Sequence, residues 1–269
     1  MGVRRVLVGA VSVLLALVAV LLAGVGVDFG IAIYAEYRLS RTVRAAADLG
    51  SDPFVAILGF PMIPQAMRHR YDELEIKANA VAHPPVGKAT LEATMHAIDL
   101  TYASWLIRPD ARLPVGMLES RIIIDSTHLG RYLGITDLMV EAPPQDTNDA
   151  TGGTTESGIS SSRGLVFTGT PRGAHFDKRV SVSVDLSMAG DDRATLVFTP
   201  TGVLTGPDTA NQNVPIDQRE AVLAAFRATL PGQRLPFGVA PTSQGARGSD
   251  VIIEGITKAA TITLEEFKR

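Results

Sequence analysis

The side chains able to do chemistry are few and scattered. The five histidines, His69, His83, His96, His128 and His175, show neither HxH nor HxxxH spacing, so no compact metal site is signalled. Cysteine is absent, which excludes disulfides, thiolate metal sites, iron–sulfur clusters, a cysteine nucleophile and a lipid-modified N-terminal cysteine. Asp125-Ser126-Thr127-His128 holds the residue types of a hydrolytic triad. A triad is assembled in space, however, and adjacency along the chain does not make one; Ser126 reads as a helix cap. No GxSxG elbow is present. Thr151-Gly152-Gly153-Thr154 lacks the Lys of a phosphate loop and reads as a flexible loop. Gly190-Asp191-Asp192-Arg193 fits a hairpin turn better than a catalytic carboxylate pair. The sequence therefore assigns no catalytic residues, no metal and no cofactor.

The elements that would position any site are more legible. The chain has 269 residues, 46% of them apolar and 20% charged, enough for a packed core. Its formal charge is -3 and its pI near 6.0, which argues against a nucleic-acid partner. Only Lys77, Lys88, Lys178, Lys258 and Lys268 among the 25 basic residues are lysines, a bias that suggests a GC-rich genome. Residues 6–27 carry one polar side chain, Ser12. As a helix that run spans about 33 Å, enough for a hydrocarbon core of about 30 Å. Arg4 and Arg5 precede it and Asp28 follows, so the expected topology is single-pass, with the N-terminus cytoplasmic and the rest extracytoplasmic. A cleavable signal peptide is the rival reading, with Gly24-Val25-Gly26 as its cleavage site. Without residues 1–27 the chain holds 23 basic and 28 acidic groups, or -5, so affinity for anionic lipid must be local.

Helical spacing continues from Asp28, a potential cap, to Gly50, a potential stop, and reads as a linker helix packed on the domain. After Pro53 the period becomes two. Leu74, Ile76, Ala78 and Ala80 alternate with polar residues, as do Leu91, Ala93 and Met95, and Val180, Val182, Val184, Leu186 and Met188. The apolar runs 122–124, 196–198, 251–253 and 262–264 add strands. Shorter helices are predicted over 126–134 and 217–230, with Ser126 and Asp217 at their starts. One-faced strands with few helices to cover them must curl, pair with a second sheet or wrap a long helix. The fold class is thus α+β, a long curved antiparallel sheet wrapped around a helix, preceded by one transmembrane helix. The predicted organisation is an anchor over 1–27 and a single domain over 28–269. Residues 143–163, rich in Pro, Gly, Ser and Thr, read as a flexible insertion.

The unusual stretch is 54–71, FVAILGFPMIPQAMRHRY, whose apolar residues fit neither strand nor helix throughout. A core strand, a Pro-shaped turn and a short helix is one reading. An apolar mouth with flexible Met and Phe side chains is the other. Gly59-Phe60-Pro61-Met62-Ile63-Pro64-Gln65, followed by Tyr71-Asp72-Glu73-Leu74-Glu75-Ile76-Lys77-Ala78, resembles the LmeA-like family of phospholipid-binding envelope proteins of mycobacteria and their relatives. Gly59, Phe60, Pro61 and Gln65 match its motif, while Met62, Ile63 and Pro64 replace a usual aromatic, Leu and polar residue. The resemblance implies a tubular, BPI-type lipid-binding fold without catalytic residues. It also implies binding of phospholipid, of phosphatidylinositol type among others, and support of mannolipid assembly in the envelope.

Burying one CH2 gains about 0.8 kcal/mol, so an acyl chain of about 16 carbons gains roughly 12 kcal/mol gross. A membrane supplies the same gain, and a carrier need only match it and lower the transfer barrier. The expected lipid-binding residues are Phe54, Ile57, Phe60, Met62, Ile63, Met67 and Tyr71, with Arg68 and Arg70 meeting a phosphate headgroup. The alternatives are a membrane-anchored scaffold for envelope biosynthesis proteins, with a closed core, and an envelope hydrolase with a site built from scattered residues.

Overall fold

The computed structural model describes residues 2–100, 108, 110–142 and 164–268, without the side chains of the first ten. The insertion expected over 143–163 lies outside the described residues.

Helix α1 (Gly2–Ala46) runs 45 residues without interruption. The sequence reading divides it at Asp28, as the cap of a second helix; instead Asp28 lies inside one helix. Nothing between the apolar run and Ala46 breaks it, and Gly24, Gly26 and Gly30 face open space. Its end also differs from expectation. Asp48, at φ 48°, and the bond from Leu49 N to Arg44 O (3.0 Å) close the helix before Gly50 is reached. The large apolar side chains described before Asp28 are exposed, and the helix is apolar enough to cross a membrane. Beyond it one face turns inward, with Ala35, Leu39, Val43 and Ala47 buried at helical spacing.

Two antiparallel sheets curl around the core. The first contains β1 (Phe54–Leu58), β2 (Arg70–His83), β3 (Gly87–Asp99), β4 (Leu113–Asp125), β11 (Asp250–Ile262) and β10 (Ser243–Arg247), in that order. The second orders β5 (Met139–Glu141), β6 (Gly164–Gly169), β7 (Val180–Ala189), β8 (Thr195–Leu204) and β9 (Ala228–Leu230). The period-two reading is borne out: Leu74, Ile76, Ala78, Leu91, Ala93 and Met95 are buried, as are Val180, Val182, Val184 and Leu186. Ala80 departs from it. A register shift between Ala78 and Val81 turns Ala80 out, at φ 54°, and turns Val81 in.

A second irregularity crosses three strands at one level. Ala97 in β3 and Ala259 in β11 both have φ 52° and flank Gly116 of β4. Inward positions in β3 step from Met95 to Ile98, and in β4 from Leu118 to Val115, three residues instead of two. Both strands shift together, so His96 still pairs Met117 and Ile98 still pairs Val115. The sheet bends along this line without losing its register.

Three further expectations are corrected. Helix α3 (Ser126–Leu133) is capped by Asp125, which accepts from His128 N at 2.8 Å; Ser126 is its first residue. Helix α4 (Ile216–Ala225) starts after Pro215, one residue before the expected Asp217. It ends at Ala225, and residues 228–230 become β9 because Leu230 pairs Leu196 of β8. The last strand stops at Ile262, and Leu264 opens a 3-10 turn. The hairpin at 190–193 is as expected, closed by Arg193 N to Gly190 O at 3.0 Å.

Candidate functional site

The 59–65 motif builds a tied loop. Gly59 has φ 98°, and a Cβ there would lie 2.8 Å from Gln65 Nε2, so no other residue fits without strain. Helix α2 (Met62–Arg68) follows Pro61. Gln65 is 2% exposed; its Nε2 donates to Gly59 O at 2.6 Å and its Oε1 accepts from Asp72 N at 2.9 Å. One buried amide thus joins the loop to the start of β2. A helix of seven residues leaves its first N–H groups without partners. Here Asp28 of α1 provides them: its carboxylate accepts from Met62 N at 2.8 Å and Ile63 N at 2.7 Å. A residue 34 positions earlier therefore caps α2 and fixes it against α1.

Between α1, α2 and the bent end of the first sheet lies an apolar crevice. Ala35 and Leu39 come from α1, Ile57 from β1, Met62 from α2, and Tyr71 and Leu74 from β2. Ile98, Leu100 and Leu113, all beyond the bend, complete it. The crevice is narrow, with ≈ 30 Å³ of room for a water-sized molecule, and it is partly open to solvent. The Tyr71 hydroxyl is the one ionisable group in the wall, and burial raises its pKa. All of the lining except Ile57 is buried, so the wall side chains close it to a slot that a guest must widen.

The residues expected at the mouth separate into two groups. Ile57, Met62 and Tyr71 line the crevice, and Ile63 sits half-buried beside Met62. Phe54 points away, because Val55 and Ile57 take the inward positions of β1. Phe54, Phe60 and Met67 are 57%, 63% and 78% exposed, and Phe60 stacks on Phe29 with ring centroids 5.7 Å apart. Arg70 meets Asp99 at 3.6 Å. Arg68 is exposed and makes no ion pair among the described residues. Sequence reasoning missed Asp28 as a cap for α2. It also missed Ala35, Leu39, Ile98, Leu100 and Leu113 as crevice walls. Apolar periodicity marks these five as inward-facing, but cannot separate a wall from a filled core.

The Asp125 carboxylate holds His128 Nδ1 at 2.5 Å, and these hydrogen bonds together with the imidazole's charge keep its pKa low against the opposing effect of burial. Among the described residues no serine hydroxyl hydrogen-bonds His128, and no cluster of His, Asp or Glu could hold a metal. A charge ladder crosses the outer face of the first sheet. Lys77 meets Glu92 at 2.6 Å, Arg247 meets Glu92 at 3.3 Å, and Arg121 bridges Glu254 (2.5 Å) and Glu119. Neighbouring strands present opposite signs there, which suits a sheet face.

The α+β domain of curled antiparallel sheets thus sets its apolar crevice against a long apolar helix. The family model for LmeA-like phospholipid-binding proteins matches residues 26–256, and the chain belongs to that family. It is a phospholipid-binding family and not a family of enzymes. No curated protein and no solved structure matches the chain.

Proposed function

We propose that this protein is anchored in the cell membrane by the first half of α1 and binds phospholipid in the extracytoplasmic envelope. An acyl chain occupies the crevice between α1, α2 and the bent sheet, in support of envelope lipid or mannolipid assembly. The observation that carries this reading is the crevice itself: apolar apart from Tyr71, partly open to solvent, and walled on one side by Met62 of the motif loop. Arg68, with no carboxylate partner among the described residues, and Arg70, shared with Asp99, are the headgroup residues of this reading, with anionic phosphatidylinositol-type lipids as the favoured class. Transfer to envelope biosynthesis proteins is the role that suits an anchored carrier.

The test is photocrosslinking of the full chain, reconstituted with a phospholipid that carries a photoreactive group in its acyl chain. Crosslinks at Leu39, Met62 and Leu113 are expected, and Leu113→Trp, which fills the slot, should abolish them. Crosslinks confined to residues 6–27 would mean that lipid touches only the anchor, and the scaffold reading would take over. Replacing Arg68 and Arg70 by Glu should weaken retention on phosphatidylinositol vesicles. Unchanged retention would remove both from the headgroup site.

A further inference from the structure

A band of exposed apolar side chains continues from the membrane segment onto the folded domain. On α1 it comprises Phe29, Ile33 and Tyr34, 55%, 64% and 52% exposed. On the loop and α2 it comprises Phe60 and Met67, the latter 78% exposed. Two contacts fix the level of this second group. Asp28 holds the first turn of α2 to α1, and Phe60 stacks on Phe29. The tip of the loop and the first turn of α2 therefore lie near the end of the apolar run at residue 27, and Met67, five residues further along α2, lies within about 8 Å of that turn.

Geometry also relates this level to the crevice. Met62 donates its N–H to Asp28 and its side chain lines the crevice, whose far wall on α1 is Leu39. Eleven residues of α-helix separate Asp28 from Leu39, a rise of about 16 Å. The crevice thus runs along α1, with Met62 at its membrane end.

We infer that Phe29, Phe60 and Met67 form a wedge seated in the headgroup region of the bilayer that anchors the protein, so that lipid passes sideways from the leaflet into the crevice at Met62 without crossing water. The occupant of this surface is the bilayer, because the surface is continuous with the spanning helix. An interfacial seat also suits its chemistry: aromatics and Met in the band, Tyr37 and Arg41 just above it, and Arg68 exposed beside Met67. This inference rests on the anchor and crevice of the proposed function.

The chain lacks cysteine, so single thiols report position cleanly. Full-length Phe60→Cys, Met67→Cys, Val18→Cys and Thr201→Cys proteins, each labelled with an environment-sensitive fluorophore, are reconstituted into vesicles of phosphatidylcholine and phosphatidylglycerol. Quenching by a lipid-borne nitroxide near the headgroups is compared with quenching by aqueous iodide. The inference expects Phe60→Cys and Met67→Cys to be quenched by the nitroxide and protected from iodide, at depths within about 10 Å of the headgroup boundary. Thr201→Cys, on the exposed side of β8, should behave in the opposite way. If Val18→Cys is lipid-protected while both wedge positions respond only to iodide, the wedge is overturned and the anchor stands. If Val18→Cys also responds only to iodide, the anchor and the wedge are overturned together. The photocrosslinking test of the crevice reads independently of either result.

Discussion

Asp28 ends an apolar run, and its carboxylate sits over the first N–H groups of a helix 34 positions away. Asp28→Ala should cost about 0.5–2 kcal/mol, as loss of a helix cap does, and Asp28→Asn, which keeps one acceptor oxygen but turns an NH2 toward the other N–H, should recover only part of it; thermal unfolding of the full chain in detergent checks both. At Gly59 a methyl group would meet both the φ of 98° and the Gln65 amide. Gly59→Ala should destabilise by about 1–3 kcal/mol, seen as a lower Tm and as early proteolysis of the loop. Gln65→Leu should leave Gly59 O and Asp72 N without partners, a loss of about 1–3 kcal/mol in the same assay. Sequence shows that Gly59 and Gln65 belong to a motif, because their types and spacing are visible. It does not show what Asp28 does, because a tertiary cap leaves no local pattern. Nor does it show that Phe54 faces outward. That follows from which of two alternating apolar positions β1 turns inward, and Phe54, Val55 and Ile57 are all apolar.

Elements were legible where one face is apolar and the other polar. The alternation in β2, β3 and β7 specifies both strand and inward face, since a one-residue slip would bury the polar set. Errors arose where a partner decides the structure. Residues 228–230 continue an apolar pattern that fits a helix, yet β8 offers them a free edge and the helix stops at Ala225. The bend at Ala97, Gly116 and Ala259 was invisible for a similar reason, because alanine carries no signature of a left-handed backbone. It is nonetheless testable. Alanine at φ 52° already bears a steric cost of about 1–2 kcal/mol, which glycine would relieve and a β-branched residue would increase. Ala97→Gly should hold or raise the Tm, and Ala97→Val should lower it. The opposite order would mean that the bend is set by strand pairing and not by backbone conformation. Ile98, Leu100 and Leu113 of the crevice wall lie beyond the bend, so a change in its angle would move that wall.

The molecule as a whole is cross-braced by contacts between distant parts of the chain. His83, at the end of β2, bonds Gln233 at 3.0 Å, 150 positions later. Gln233 also donates from its Nε2 to Pro231 O, so its Oε1 faces the ring and the neutral imidazole is the donor. Burial lowers the His83 pKa from its ordinary 6.5, and the Gln233 bond only partly offsets this. A neutral, half-buried histidine of lowered pKa contributes stability that is fully present above 6.5 and is lost as pH falls through its folded pKa. The Tm should therefore decline below pH 6.5, and His83→Gln should flatten that decline, measured by thermal melts across the acid range. A decline unchanged in His83→Gln would place the acid sensitivity elsewhere.

The unbroken course of α1 bears on how the protein would meet others if the proposed anchor holds. A domain on a slack tether sweeps out a volume, and the tether's length sets what it can reach. In the proposed arrangement the same helix would be both anchor and core element, and the domain would be mounted on a rod. Such a mounting would keep it from reaching a facing membrane. Its encounters would then be two-dimensional, with lipids and proteins reaching the crevice by diffusing within the same sheet of membrane. Delivery to a distant layer would require a second, freely diffusing carrier or a partner embedded alongside.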